Sequence, residues 1–130
     1  MRIHHVGVAV TDLDASIELY RGVFGAELVH RAANESEGLE AAFMRTGDGE
    51  VELMSATRDD SPVGKFLAKR GPGLHHVAYA VPDIDQALAQ AREAGLQLID
   101  EAPRRGMHGT RIAFIHPKSV GGVLTELVEA

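Results

Sequence analysis

The sequence predicts an α+β fold built from two tandem β-α-β-β-β modules, and three observations carry that prediction. First, Ile3-His4-His5-Val6-Gly7-Val8-Ala9-Val10 returns as Leu74-His75-His76-Val77-Ala78-Tyr79-Ala80-Val81, an offset of 71 residues (76 − 5). Second, the offset runs on into Asp12, Leu13, Asp14 and Ile17, matched by Asp83, Ile84, Asp85 and Leu88. Third, Val51-Glu52-Leu53 returns as Thr125-Glu126-Leu127 at an offset of 74 (126 − 52). Each copy therefore carries one His early and one Glu late.

Residues 3–10 alternate and are rich in Val, so they form a strand with Val6, Val8 and Val10 on one face. The other face holds His5, Gly7 and Ala9, an imidazole over an open floor, and the second copy repeats this with His76, Ala78 and Ala80. By the same parity His4 and His75 turn to the helix-covered side, as packing residues or as residues that support the ligands from behind. His30, His108 and His116 have no repeat partner and are not taken as ligands. Asp12 and Asp83 cap helices whose apolar residues are Leu13, Ile17, Tyr20 and Phe24, then Ile84, Leu88 and Ala91. Gly25 and Gly95 end them. Short strands follow at Glu27–His30 and Gln97–Asp100.

The turn at 34–38 leads into strands Leu39–Thr46 and Glu50–Ser55, joined by the hairpin signal Gly47-Asp48-Gly49. Their counterparts are Thr110–His116 and Gly122–Val128, joined by 117–121. Ser61-Pro62 starts a linker helix that stops at Arg70-Gly71-Pro72-Gly73. The whole reads as one domain over 1–130, with module one at about 1–57, the linker helix at about 58–73 and module two at about 74–130. Each module alone is too small to bury an adequate core, which calls for pairing within the chain or with a second copy.

No cysteine is present, which removes thiolate metal sites and disulfides and is compatible with a cytoplasmic location. No apolar run reaches membrane-helix length and no signal-peptide core is expected. A net charge of −6 without a basic run argues against nucleic acid.

Were the first and last strands of each module neighbours, His5 would sit near Glu52 and His76 near Glu126. Two imidazoles and two carboxylates suit a divalent ion such as Co²⁺, Mn²⁺, Ni²⁺, Fe²⁺ or Zn²⁺. The same set leaves coordination positions for a substrate with two oxygens, whose enolate the ion would stabilise.

This double module, with His early and Glu late in each copy, resembles the vicinal oxygen chelate superfamily. Within it the chain is similar over essentially its whole length to the methylmalonyl-CoA epimerase family. The segments that carry the likeness are His5-Val6-Gly7-Val8-Ala9-Val10, Val51-Glu52-Leu53-Met54, the linker 61–71, Gly73–Tyr79, Ile112–Ser119 and Gly121–Leu127. The linker and the His116-Pro117-Lys118-Ser119 loop are the diagnostic ones.

The resemblance implies a glyoxalase-like curved sheet around a metal cleft, with His5, Glu52, His76 and Glu126 as ligands and Co²⁺ the expected ion. It implies interconversion of (R)- and (S)-methylmalonyl-CoA, by C2 deprotonation to a metal-chelated enolate and reprotonation on the other face. Glu126 is the implied base, and a homodimer is expected. Some members carry Gln where Glu52 stands. Others place a second carboxylate where this chain has Ala41; Glu40 is its neighbour, but strand parity sends it to the wrong side unless a bulge intervenes. The second base is left unassigned.

Lys118, Ser119 and Gly121 are candidate substrate-binding residues, and Arg104, Arg105, Lys65, Lys69 and Arg70 offer positive charge to the phosphate end of CoA. The rival readings are a glyoxalase I-type lyase acting on glutathione hemithioacetals, an extradiol dioxygenase, and a metal-free binding protein of the same fold. Four ligands speak against the last two.

Overall fold

The computed structural model describes residues 1–130. Its elements are β1 (Arg2–Ala9), α1 (Leu13–Phe24), β2 (Glu27–Asn34), β3 (Leu39–Thr46), β4 (Gly49–Ala56), α2 (Pro62–Arg70), β5 (Gly73–Val81), α3 (Ile84–Glu93), β6 (Arg104–Arg105), β7 (Arg111–Ile115) and β8 (Thr125–Glu129). The strand order is β2-β3-β4-β1-β5-β8-β7-β6. Two compact units divide the chain, one of His5–His75 and one of Met1–His4 with His76–Ala130.

In the first unit Asp12 caps α1 by accepting the Ala15 N–H at 3.0 Å, and Gly25, left-handed at φ 65°, ends it. Leu13 and Ile17 bury the inner stripe of α1 against Ala42, Met44 and Leu53, with Val8 and Val10 packed alongside. The valine face of β1 therefore meets the helix, as its parity requires. The His5 face is not an open floor, however. His5 is 3% and Ala9 0% exposed. β2 is also longer than the predicted Glu27–His30, with a register irregularity between Leu28 and His30.

In the second unit Asp83 caps α3 and accepts the Gln86 N–H at 3.1 Å. Ile84, Leu88 and Ala91 pack on Val81, Ala113, Ile115 and Leu127. Replacing Leu88, 1% exposed, with Ala leaves a cavity in that cluster. The expected loss, read from denaturant unfolding, is about 2–5 kcal/mol.

The predicted strand at Gln97–Asp100 is not formed. Only an isolated bridge, Leu98 with Ile115, remains there. The Asp100 carboxylate accepts the Phe114 N–H at 2.8 Å, and the chain pairs with β7 again at β6. β7 is shorter than the predicted Thr110–His116, and β8 starts at Thr125 rather than Gly122 and runs to Glu129, because 117–119 form a 3₁₀ turn and Gly121 and Gly122 both adopt positive φ.

Each unit ties its helix start to its sheet with an arginine. Arg31 reaches Asp14 at 2.7 Å and Glu40 at 3.1 Å, and Arg111 reaches Asp85 at 3.1 Å and Glu129 at 2.8 Å. Hydrogen bonding from Arg111, then from the Ile84 N–H, holds the Glu129 carboxyl below its ordinary pKa. Glu129 therefore stabilises the fold above the ordinary carboxylate pKa, and that share is lost as pH falls through its depressed one. The gap in Tm between wild type and Glu129→Gln is expected to narrow from about pH 6 to about pH 3.

Candidate metal centre

Two strand registers build the centre. β1 lies parallel to β4 with Gly7 opposite Glu52, and β5 lies parallel to β8 with Ala78 opposite Glu126. Alternation puts His5 on the face of Gly7 and His76 on the face of Ala78, so in each unit His and Glu emerge on one side, two residues out of step. His5 Nε2 stands 3.3 Å from Glu52 Oε1, and His76 Nε2 stands 3.2 Å from Glu126 Oε1. The four residues are almost fully buried, with exposures of 3%, 5%, 2% and 7% for His5, Glu52, His76 and Glu126.

His5, Glu52, His76 and Glu126 each offer one ligand atom, and those atoms all lie within 4.8 Å of one another. Buried carboxylates are costly unless a cation or hydrogen bonds compensate them, and two of them sharing a site repel. Two imidazoles and two carboxylates are a borderline-to-hard set that suits a divalent first-row ion. The residues present fit such an ion.

Each imidazole also rests against a phenylalanine edge. The His5 and Phe43 rings are 5.7 Å apart at 90°, and the His76 and Phe114 rings 5.7 Å apart at 82°. These contacts hold the rings in place, and sequence reading missed them. A signal existed, because Ala42-Phe43 recurs as Ala113-Phe114 at the same offset of 71 (114 − 43). The same pair explains the change to 74. Phe43 pairs with Glu52 and Phe114 with Glu126, spans of 9 (52 − 43) and 12 (126 − 114), so three extra residues sit in the β7–β8 connection.

That connection holds Lys118, Ser119 and Gly121. Lys118 is exposed, its N–H donating to His116 Nδ1 at 3.1 Å, while Ser119 Oγ accepts the Gln97 N–H at 2.8 Å. The Gly121 φ of 75° requires glycine-like freedom.

His4 packs against His108 with ring centroids 5.6 Å apart, and His75 against Phe66 at 4.9 Å. His30 stacks on Phe43 at 6.0 Å. β3 pairs with β4 without interruption from Leu39 to Thr46, so no bulge turns Glu40 round, and its carboxylate binds Arg31 on the helix side. Ala41, 0% exposed, takes the position on the Glu52 face.

The chain belongs to the glyoxalase/bleomycin resistance protein/dioxygenase superfamily, whose pattern matches residues 4–114. Its relatives include several epimerases. It is 42% identical to methylmalonyl-CoA epimerase from Mycobacterium tuberculosis, with a TM-score of 0.94 and coverage of 98% of this chain and 87% of that one. Against Streptomyces coelicolor methylmalonyl-CoA epimerase in complex with 2-nitronate-propionyl-CoA, identity is 43% and TM-score 0.94, covering 100% and 97%. An ethylmalonyl-CoA/methylmalonyl-CoA epimerase of Cereibacter sphaeroides is 35% identical, covering 97% of this chain and 96% of that protein.

Proposed function

We infer that this protein is an isomerase that interconverts the (R) and (S) epimers of methylmalonyl-CoA, using a divalent metal ion. The observation that carries this is the joint one: a buried His₂Glu₂ group in a chain 42–43% identical to epimerases over nearly its full length. His5, Glu52, His76 and Glu126 are the proposed ligands. An ion held by them supplies Lewis-acid stabilisation of the negative charge that develops when C2 loses its proton.

The protein's own groups do the rest. Glu126 is the proposed base that takes the C2 proton, a carboxylate that burial keeps from bulk water. Phe114 and Phe43 hold the two imidazoles. Lys118 and Ser119, with the backbone at Gly121, are proposed to bind anionic oxygens of the substrate. Ala41 offers only a methyl group and Glu40 is held by Arg31, so neither returns the proton on the opposite face.

The finer reading is Co²⁺ as the ion, a single 1–130 domain of two modules acting as a homodimer, and a cytoplasmic role in propionate metabolism. The borderline donor set, the small size of each module and the absence of cysteine support it. No helix is long and apolar enough to cross a membrane.

The test is proton exchange. Protein loaded with Co²⁺ is incubated with (2S)-methylmalonyl-CoA in D₂O while C2 deuteration and epimer ratio are followed, with a chelator-treated control. Metal-dependent deuteration with loss of stereochemistry is the expected result. No exchange with any divalent ion, together with turnover of a glutathione hemithioacetal, would replace the epimerase by the lyase.

A further inference from the structure

The adjacent arginines of β6 part company in the structure. Arg104 pairs with Ile112, and alternation along β7 and across to β8 places Ile112, Phe114 and Glu126 on one face, the face of His76. The Arg104 guanidinium carbon lies 5.6 Å from the centroid of the Phe114 ring, the same ring whose centroid is 5.7 Å from that of His76. Arg105 turns the other way and donates to the Gly109 carbonyl at 3.0 Å. One arginine thus stands one ring's width from a metal-ligand candidate, and the other braces a loop.

The setting of Arg104 is built. Asp100, whose side chain is 16% exposed, accepts from Arg104 Nε at 3.2 Å with one oxygen and from the Phe114 N–H at 2.8 Å with the other. The Phe114 face supports the cation from below. Asp100 and Phe114 therefore fix the guanidinium plane, while the Arg104 side chain stays 41% exposed. An ion pair of that exposure is worth little, so a ligand anion can share or displace it.

Charge gives the arrangement a purpose. Two Glu ligands and a divalent ion sum to zero, and the chain as a whole carries −6, so neither draws an anionic thioester toward the site. A planar guanidinium, with donors spaced to match two oxygens, supplies the missing attraction.

We propose that Arg104 is a positioning residue that binds an anionic oxygen group of the acyl-CoA substrate, either its carboxylate or a phosphate, beside the His76–Glu126 pair. This rests on the acyl-CoA reading above. Its test is calorimetric, with dissociation constants for methylmalonyl-CoA, propionyl-CoA (no carboxylate) and methylmalonyl-pantetheine (no phosphates). Wild type, Arg104→Gln, Arg104→Lys and, as a control on the surface of α1, Arg21→Gln, whose side chain pairs with Glu18, are compared.

Arg104→Gln is expected to weaken methylmalonyl-CoA binding by about tenfold or more, with Arg104→Lys intermediate and Arg21→Gln unchanged. Loss confined to the two methylmalonyl ligands assigns the carboxylate, and loss confined to the two CoA ligands assigns a phosphate. Unchanged binding of all three, or equal loss for propionyl-CoA and methylmalonyl-pantetheine, overturns the proposal. Wild type that binds without C2 exchange would overturn the epimerase reading alone and leave Arg104 to the same constants. Wild type that binds none of the three overturns both.

Discussion

His5→Ala and His76→Ala are each expected to weaken binding of Co²⁺ by more than about a hundredfold and to abolish metal-dependent C2 exchange. The reason is local and the same in both halves. Each imidazole sits two residues out of step with a Glu on the neighbouring parallel strand, with Nε2 at 3.2–3.3 Å from the carboxylate. Disturbing groups that merely orient ligands costs 10–100-fold in metal affinity, so removing a ligand should cost at least the upper end of that range.

The neighbouring histidines are the control that makes this sharp. His4→Ala and His75→Ala change the opposite strand face, where the rings meet His108 and Phe66, and should leave metal affinity within a few-fold. Metal content by elemental analysis and Co²⁺ affinity by calorimetry decide it. Equal metal binding by wild type and His5→Ala would remove the first half of the repeat from the centre. A comparable loss in His4→Ala would mean that parity had been misassigned.

The repeat made the four candidate ligands legible because strand alternation is unforgiving: a His and a Glu at matched parity in two copies leave one face to share. Caps and helix stripes were equally readable, since Asp12, Asp83 and the Leu13/Ile17 and Ile84/Leu88 pairs act locally. What escaped was set by tertiary context. Gln97–Asp100 has strand-like residues, yet Asp100 spends its carboxylate on Phe114 and Arg104, and pairing resumes only at Arg104. The face of His5 looked open because Gly7 and Ala9 are small, whereas small residues are also what lets neighbouring groups close in. The separation of Arg104 from Arg105 depends on which of them pairs with Ile112, and no periodicity extends over a two-residue strand.

The second large effect distinguishes two carboxylates that the geometry makes nearly alike. Glu126→Gln is expected to lower kcat for exchange by about a thousandfold or more while metal is still bound, because an amide can offer an oxygen ligand but cannot accept the C2 proton. Glu52→Gln should keep most activity, within about tenfold, since residue 52 is proposed as a ligand only and an amide oxygen can still ligate.

The asymmetry comes from what surrounds each pair. Glu126 follows the longer β7–β8 connection that carries Lys118 and Ser119, whereas Glu52 follows a tight hairpin with Thr46 opposite Gly49. Glu52 also faces a strand whose residue 41 is alanine, so that side brings no further carboxylate. Deuterium incorporation at C2 and metal content, measured on the same samples, separate loss of the base from loss of the ion. If both variants retain metal and Glu52→Gln is the inactive one, the base belongs to the first module and the roles must be exchanged. If Glu126→Gln retains both metal and exchange, the proton is moved by another group.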